Sequence, residues 1–403
     1  METIIAQQLS TRIETLQESA TIRMAKLSRE LKAQGKDIID LSLGEPDFDT
    51  PEHIKVAAKN AIDNNYSHYT PVSGYPELRK AIAGKLLRDN NLSYTPEQIV
   101  TSTGAKQSIA NVVLCLVNPG DEVLLPAPYW VSYAAITQLA EGIAVEMPTS
   151  IETNFKITPE QLEAAITPRT KMIIYSSPCN PTGTVYSHEE LAALAEVLER
   201  HPHVYILSDE IYEFINYTGK PHASIASFEK LKDRVIVVNG FSKGFAMTGW
   251  RLGYIAAPLW IAKACDKMQG QFTSATCSIT QKAGEAAASG TLQPTYDMLK
   301  AFTNRRELVY NLLKNVEGLK LNLPDGAFYF FPDVSAYFGK SYNGETMHSP
   351  EDISMFLLKE ANIALVSGEA FGDKNCIRLS YATSEEKLTE CCKRMIEAFA
   401  KLK

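Results

Sequence analysis

Arg234-Val-Ile-Val-Val-Asn239-Gly-Phe-Ser-Lys243-Gly-Phe-Ala-Met-Thr-Gly-Trp-Arg251-Leu-Gly-Tyr254 sets an apolar, β-branched run against a glycine-punctuated turn. Residues 234–238 read as a strand, and a short continuous apolar strand belongs to a sheet covered on both faces. The turn carries Lys243 among Phe241, Phe245, Met247 and Trp250, with no acidic residue in the run to pair with its charge. Burial there disfavours the ammonium form, and a neutral amine is the form that attacks a carbonyl carbon. The ordinary alternative is a solvated lysine whose stem lies along apolar neighbours. Arg251, further along the turn, keeps its charge and suits a phosphate.

Working outward, residues 98–101, 122–125, 171–175 and 204–207 repeat the short apolar pattern between helical stretches from about 52 to 290. That alternation predicts an α/β fold with a mainly parallel sheet between helices. Before it come a helix over 11–34, an extended segment over 37–43 and the loop Gly44-Glu-Pro-Asp-Phe-Asp-Thr-Pro51. After it come a long helix over about 293–318, strands over 326–331 and 375–381, a helix near 350–360 and a final helix to Lys403. The change of pattern predicts a smaller α+β domain over 301–403, joined by an N-terminal segment, 1–50, beside a large domain over 51–300. Capping boxes at Thr158-Pro-Glu-Gln161, Ser187-His-Glu-Glu190 and Thr383-Ser-Glu-Glu386 mark three helix starts.

A net charge of −7 argues against nucleic acid, and 45% apolar residues argue against a disordered chain. The start, Met-Glu-Thr-Ile-Ile-Ala-Gln-Gln, has no basic targeting segment, and no apolar run has the length to cross a bilayer. Seven cysteines, at 115, 179, 265, 277, 376, 391 and 392, show neither metal-ligand spacing nor a disulfide framework. A cytoplasmic protein acting on small molecules, with no membrane, nucleic-acid or metal partner, is expected. Cys391-Cys392 reads as ordinary helix packing, since adjacent helical residues face different ways.

Ligands collect at the carboxyl ends of strands in α/β sheets, so the residues just past each strand matter most. Ser102-Thr-Gly-Ala-Lys106 follows one and opens a helix whose free N–H groups can hold a phosphate. Asn180, between prolines in Ser176-Ser-Pro-Cys-Asn-Pro-Thr-Gly183, follows another; it reads equally as turn punctuation. Asp209 in Ser208-Asp-Glu-Ile-Tyr212 follows a third, either as a helix cap or as an acid awaiting a cation. With Ser242-Lys243 these ends supply an amine, an acid, an amide, a phenol and a phosphate cradle. Pyridoxal phosphate asks for that set: an aldehyde for the lysine, a ring nitrogen for the acid and an anchored phosphate.

The runs Asn180-Pro-Thr-Gly183, Ser208-Asp-Glu-Ile-Tyr212, Ser242-Lys243 through Arg251 and Ile377-Arg378-Leu-Ser-Tyr381 resemble the class I aminotransferases of fold type I. The likeness runs from Ser19 to the C-terminus. Ser19-Ala-Thr21, Gly44 to Pro51, Thr103-Gly-Ala-Lys106 and Pro128-Tyr-Trp-Val-Ser-Tyr133 resemble the bacterial aspartate aminotransferase subgroup, which includes prephenate aminotransferases. The resemblance implies a large domain on a mainly parallel seven-stranded sheet, a smaller α+β domain, pyridoxal phosphate and a homodimer with shared active sites.

By the same resemblance, Lys243 forms the Schiff base and shuttles the substrate's proton, Asp209 holds the ring nitrogen protonated, and Asn180 and Tyr212 bond the ring hydroxyl oxygen. Trp130 stacks on the ring. Gly104, Ala105, Ser242 and Arg251 hold the phosphate, together with Tyr69 reaching across from the neighbouring subunit. Lys106 lies beside this group. Arg378 pairs with the substrate α-carboxylate, and Gly44 adds a backbone contact.

One branch of aspartate aminotransferases reads the distal carboxylate with an arginine in the region matching 269–281. Here Gln269-Gly-Gln-Phe-Thr-Ser-Ala-Thr-Cys-Ser-Ile-Thr-Gln281 has no cation, so the resemblance implies the other branch's pair, Lys106 and Thr21. Two departures stand out. The turn reads Thr-Gly-Ala-Lys rather than Gly-Gly-Lys, and the position facing the partner falls near Ser274 or Ala275. Aspartate with 2-oxoglutarate is the expected pair, with prephenate transamination or a lyase reaction on the same scaffold as alternatives. A cofactor-sensing transcriptional regulator would need a DNA-binding module ahead of Ser19, where the few residues are too short for one.

Overall fold

The computed structural model describes residues 9–403; Met1–Gln8, read above for targeting signals, lie outside the described residues. Its organising element is a seven-stranded sheet. In chain order the strands begin with a short outlying pair, β1 (Ile39–Asp40), followed by β2 (Ile99–Ser102), β3 (Glu122–Ala127), β4 (Ile143–Pro148), β5 (Thr170–Ser176), β6 (Tyr205–Asp209), β7 (Val235–Gly240) and β8 (Gly253–Ala256). The sheet order is β2-β8-β7-β6-β5-β3-β4. β8 runs antiparallel to both neighbours, and the other adjacent pairs are parallel.

The central strands β5, β6 and β7 are mostly apolar because both of their faces are covered. Ile173, Ile206, Val235 and Val237 belong to one buried cluster, and the alternate residues Ile174, Leu207, Ile236 and Val238 to another. A strand that turns successive side chains to opposite faces needs apolar residues at every position when each face meets helices. The pairing Ser176↔Asp209↔Val238 puts the ends of β5 and β6 level at the carboxyl edge, with β7 running two residues further, to Gly240.

Beyond the sheet lie β9 (Tyr329–Phe330), a hairpin of β10 (Ser341–Tyr342) and β11 (Glu345–Thr346), then β12 (Ile363–Ala364), β13 (Val366–Ser367) and β14 (Ile377–Ser380). β13, β14 and β9 form an antiparallel three-stranded sheet, and β1 pairs with β12 in parallel. Ile39 and Leu41 share a buried cluster with Phe302, Phe330, Ile363 and Met395, so the N-terminal segment packs on the C-terminal part of the chain.

Several boundaries differ from the sequence reading. The helix expected over 11–34 is broken: a short turn, Thr11–Glu14, precedes the helix Ala20–Ala33, for which Ser19 is the N-cap residue. Gln138 donates to the Thr15 carbonyl at 3.2 Å, a tertiary contact no local pattern encodes. The long helix ends at Leu313 rather than near 318. Thr158 and Ser187 form the expected capping boxes, but the last helix is capped one residue later than read, by Ser384 accepting from the Lys387 N–H. β9 occupies two residues of the strand expected over 326–331, and β4 and β8 were not anticipated individually.

Candidate active site

A cavity of about 310 Å³ opens at the carboxyl edge of the sheet, where β5 and β6 end level and β7 leads into the Lys243 turn; Leu43, Gly44, Glu45 and Arg378 of β14 also line it. Asp209 ends β6. Its carboxylate accepts from the Tyr133 hydroxyl at 2.7 Å and from the Ile211 N–H at 3.3 Å, and no cation bonds it. Burial raises its pKa to about 6 despite those two bonds.

Lys243 follows β7 and is half-buried, its Nζ donating to the Gly44 carbonyl and lying 5.5 Å from the Tyr212 ring centre and 5.8 Å from that of Phe328. Burial lowers its pKa to about 8, with Arg378 and Arg251 acting in the same sense and Glu45 and Asp209 opposing. Glu45 comes near through space from the 44–51 loop. That loop is tied to the lysine turn by Thr50 donating to the Ala246 carbonyl at 2.7 Å and by the Thr248 hydroxyl donating to Glu45. It is tied to the long helix by the two-pronged Arg305–Asp47 pair at 2.6 and 2.9 Å.

Arg378, on β14, is 1% exposed. One Nη donates to Asn180 Oδ1 at 2.9 Å and the other to the Ser42 carbonyl, while its ring neighbours Tyr329 and Phe371 lie 4.7 and 4.8 Å away. Its Nε is buried without a partner, as is the Ser176 hydroxyl. Both residues line the cavity, and orphaned buried polar atoms there leave room for a polar ligand. Tyr212 exchanges a 2.7 Å hydrogen bond with Tyr329, and burial raises the hydroxyl pKa of both.

The anion cradle lies at the other end. Gly104, with φ +84°, precedes the helix Ala105–Leu116, whose first N–H groups have no intrahelical acceptor. A Cβ on Gly104 would stand 2.3 Å from Arg251 Nη2, so only glycine lets the guanidinium approach this helix end. Arg251 itself takes φ +56° and is held by the Thr248 carbonyl at 2.8 Å. Ser242 and Ala105 line the same end.

Trp130 and Lys106 form one wall, the Lys106 amine lying 4.9 Å from the indole centre; burial and then Arg251 lower its pKa. Thr21 lines the mouth beside Ser19 and Ile22. Of the sequence-derived residues, two do not line this cavity: Gly104, which stands just behind the lining residues Ala105 and Arg251, and Tyr69, which is 99% exposed in its own chain. Tyr133, Ser176 and Tyr329 also line the cavity and were not anticipated. Tyr133 could have been read from its place one helical turn after Trp130, and Tyr329 from a phenol inside the run Phe328-Tyr-Phe-Phe331, where a buried hydroxyl needs a partner.

The strand ends at the carboxyl edge, the buried acid, the softened lysine and the anion cradle find their counterpart in one group of enzymes. The family described as "Aminotransferase class I and II" matches residues 36–395, and the chain belongs to it. It is an aminotransferase of the fold type I architecture. It is 47% identical over 393 residues to the aspartate/prephenate aminotransferase of Cereibacter sphaeroides, spanning 97% of this chain and 98% of that one. The crystal structure of the aspartate aminotransferase from Rhizobium meliloti matches with a TM-score of 0.95 and 42% identity over 98% of this chain and 100% of that one. An aspartate aminotransferase from Thermus thermophilus solved with maleate matches at 0.90 and 40% over 97% and 100%. Both kinds of relative lie at similar distances and do not separate aspartate from prephenate. Among the described residues no helix is long and apolar enough to cross a membrane.

Proposed function

We propose that this chain is a pyridoxal-phosphate-dependent aminotransferase that moves the amino group between L-aspartate and 2-oxoglutarate by a ping-pong sequence. The observation that supports it most is convergence: the half-buried Lys243, the buried Asp209 with no bonded cation among the described residues, and Arg378 all line one cavity. Pyridoxal phosphate, when bound, supplies an aldehyde for an amine and a ring that accepts electrons from the substrate Cα.

Each residue then has a task. Lys243, neutral in a larger fraction than a solvated lysine, would hold the cofactor through its aldehyde and, when released, would take up and return the proton at the substrate Cα. Asp209 holds the ring nitrogen protonated; a cation there reverses the desolvation that now raises its pKa. Tyr133 fixes the Asp209 carboxylate from behind. Tyr212 and Asn180 bond the ring hydroxyl oxygen, and Trp130 covers the ring. The Gly104–Ala105 helix end, Ser242 and Arg251 hold the phosphate, with Tyr69 serving the neighbouring subunit of a homodimer. Arg378 pairs with the α-carboxylate, as its planar fork suits, and Gly44 stands beside it: a side chain there would meet the Tyr329 hydroxyl at 2.1 Å.

Lys106 and Thr21 read the distal carboxylate. The maleate named with the Thermus thermophilus relative is a dicarboxylate, which supports an acidic substrate here. Prephenate is the second reading, favoured by the Cereibacter sphaeroides relative's name and by a distal carboxylate that Lys106 can meet. This reading includes the division into a large unit over 51–300 and a smaller one from 301–403 with 1–50. It also includes a reducing, cytoplasmic setting, which the seven free thiols support.

A half-reaction panel tests it: the cofactor-loaded enzyme is mixed with aspartate, glutamate, alanine, phenylalanine and arogenate, and the cofactor absorbance is followed. Aspartate should react faster than alanine, and Lys106→Ala should cost aspartate about tenfold in kcat/KM while leaving alanine within about twofold. Equal rates for aspartate and alanine would contradict the role of Lys106 and Thr21; pyruvate and ammonia as products would contradict transamination.

A further inference from the structure

Ser208-Asp-Glu-Ile-Tyr-Glu213 turns two faces to its surroundings. Asp209, Ile211 and Tyr212 line the cavity, while Ser208, Glu210 and Glu213 face a closed polar cluster behind it. Glu210 accepts from the Ser208 hydroxyl at 2.9 Å and from the Ser224 hydroxyl at 2.5 Å, and its second oxygen lies 3.1 Å from His222 Nε2 as an ion pair. Glu213 accepts from Lys85 Nζ, from the Asn90 amide at 2.6 Å and from the Asn239 amide at 2.9 Å. The Ser208 hydroxyl, its one proton given to Glu210, accepts from the Tyr175 hydroxyl at 3.0 Å. All four charged side chains are nine-tenths or more buried.

Two carboxylates and two cations out of water contribute little net stability compared with apolar residues of the same volume. The mechanism above uses none of them. What the cluster does supply is fixation: it joins the helix Pro76–Asn90, β5, β7 and the 222–224 loop to a single short segment that carries three cavity residues. Burial opposes the charge on His222, yet Glu210 and Glu213 outweigh it and raise its pKa; burial likewise opposes Glu213, yet Lys85 and His222 hold its carboxyl below the usual range.

We infer that Glu210, with Ser224 and His222, and Glu213, with Lys85, are positioning residues. From behind the sheet they fix the segment 208–213 so that the Asp209 carboxylate and the Tyr212 hydroxyl reach their partners in the cavity together. The inference rests on the reading of Asp209 and Tyr212 as contacts of pyridoxal phosphate.

The test uses Glu210→Leu, Glu210→Gln and Ser224→Ala in the cofactor-loaded enzyme. Three properties are measured: steady-state kinetics with aspartate, the pH midpoint of the cofactor absorbance band, and the melting temperature. Glu210→Leu should lower kcat about tenfold with KM for aspartate within about twofold, because Arg378 is untouched. The band's midpoint should move as well, and Glu210→Gln, which keeps oxygen and shape, should restore most of both. A folded Glu210→Leu with the parent kcat and midpoint, or a Glu210→Gln as impaired as the leucine variant, overturns the inference. If Glu210→Leu does not fold, Ser224→Ala decides: about a threefold loss of kcat with a moved midpoint supports it, and parent values for both overturn it. A parent enzyme lacking any Lys243-dependent band would instead overturn the reading on which the inference rests.

Discussion

Asp209 and Glu210 are adjacent carboxylates on one strand end, equally removed from water, and the two regions they face could hardly differ more. On the cavity side Asp209 has a phenol and one backbone N–H but no bonded cation, and its pKa is raised. Behind, Glu210 has two hydroxyls and an imidazole, and its neighbour Glu213 has a lysine and two amides. A buried charge with its partners built in is structure; a buried charge without them is a place kept for a ligand.

The largest expected effect comes from changing the cavity side. On the proposed role of Asp209, Asp209→Asn removes the charge that would keep the ring nitrogen protonated and should lower kcat for aspartate by on the order of 10² to 10³. Steady-state kinetics with saturating cofactor measures it; a variant within about threefold of the parent would break the contrast between the two faces. Arg378→Lys, which replaces a two-pronged donor by a point charge, should lower kcat/KM about 10- to 100-fold for every amino acid alike, unlike the aspartate-selective loss in Lys106→Ala.

The same Asp209→Asn change should act in the opposite direction on stability of the cofactor-free chain. A carboxyl with a raised folded pKa contributes stability below its unfolded value near 3.8 that is lost as pH rises through about 6. At pH 8 the cofactor-free Asn variant should therefore be more stable, by up to about 2 kcal/mol in urea unfolding, and the gain should vanish below about pH 4. Glu210→Gln, which removes a carboxylate with an imidazole beside it, should show no such gain. The smallest effect is kinetic: with the Lys243 pKa lowered to about 8, pyridoxal phosphate capture by the cofactor-free chain should rise with pH and level off above about 8. An ordinary lysine would keep rising toward 10.5.

The contrast also marks what was legible in the sequence. β2, β3, β5, β6 and β7 are short apolar runs ended by polar residues, and reading past their ends finds Asp209, Asn180, Lys243 and the Gly104 turn. β4 was missed because it is an edge strand with mostly half-exposed residues, and β8 because four residues after a glycine leave no period to read. The break after Glu14 in the first helix answers to tertiary contacts, not to local propensity. The cluster behind the sheet was invisible for the same reason. Lys85, His222 and Glu210 lie far apart in sequence and look like solvated residues until the fold puts them together.

On the proposed reading, Lys243 is the amine that the cavity presents to the cofactor's aldehyde. Borohydride reduction of the pyridoxal-phosphate-loaded enzyme, followed by peptide mass spectrometry, tests it most directly. The account predicts one pyridoxyl phosphate per chain, on the peptide containing Lys243, and none in Lys243→Ala. A stoichiometric adduct on any other lysine, or an unmodified Lys243 in an enzyme that still transaminates, would contradict it.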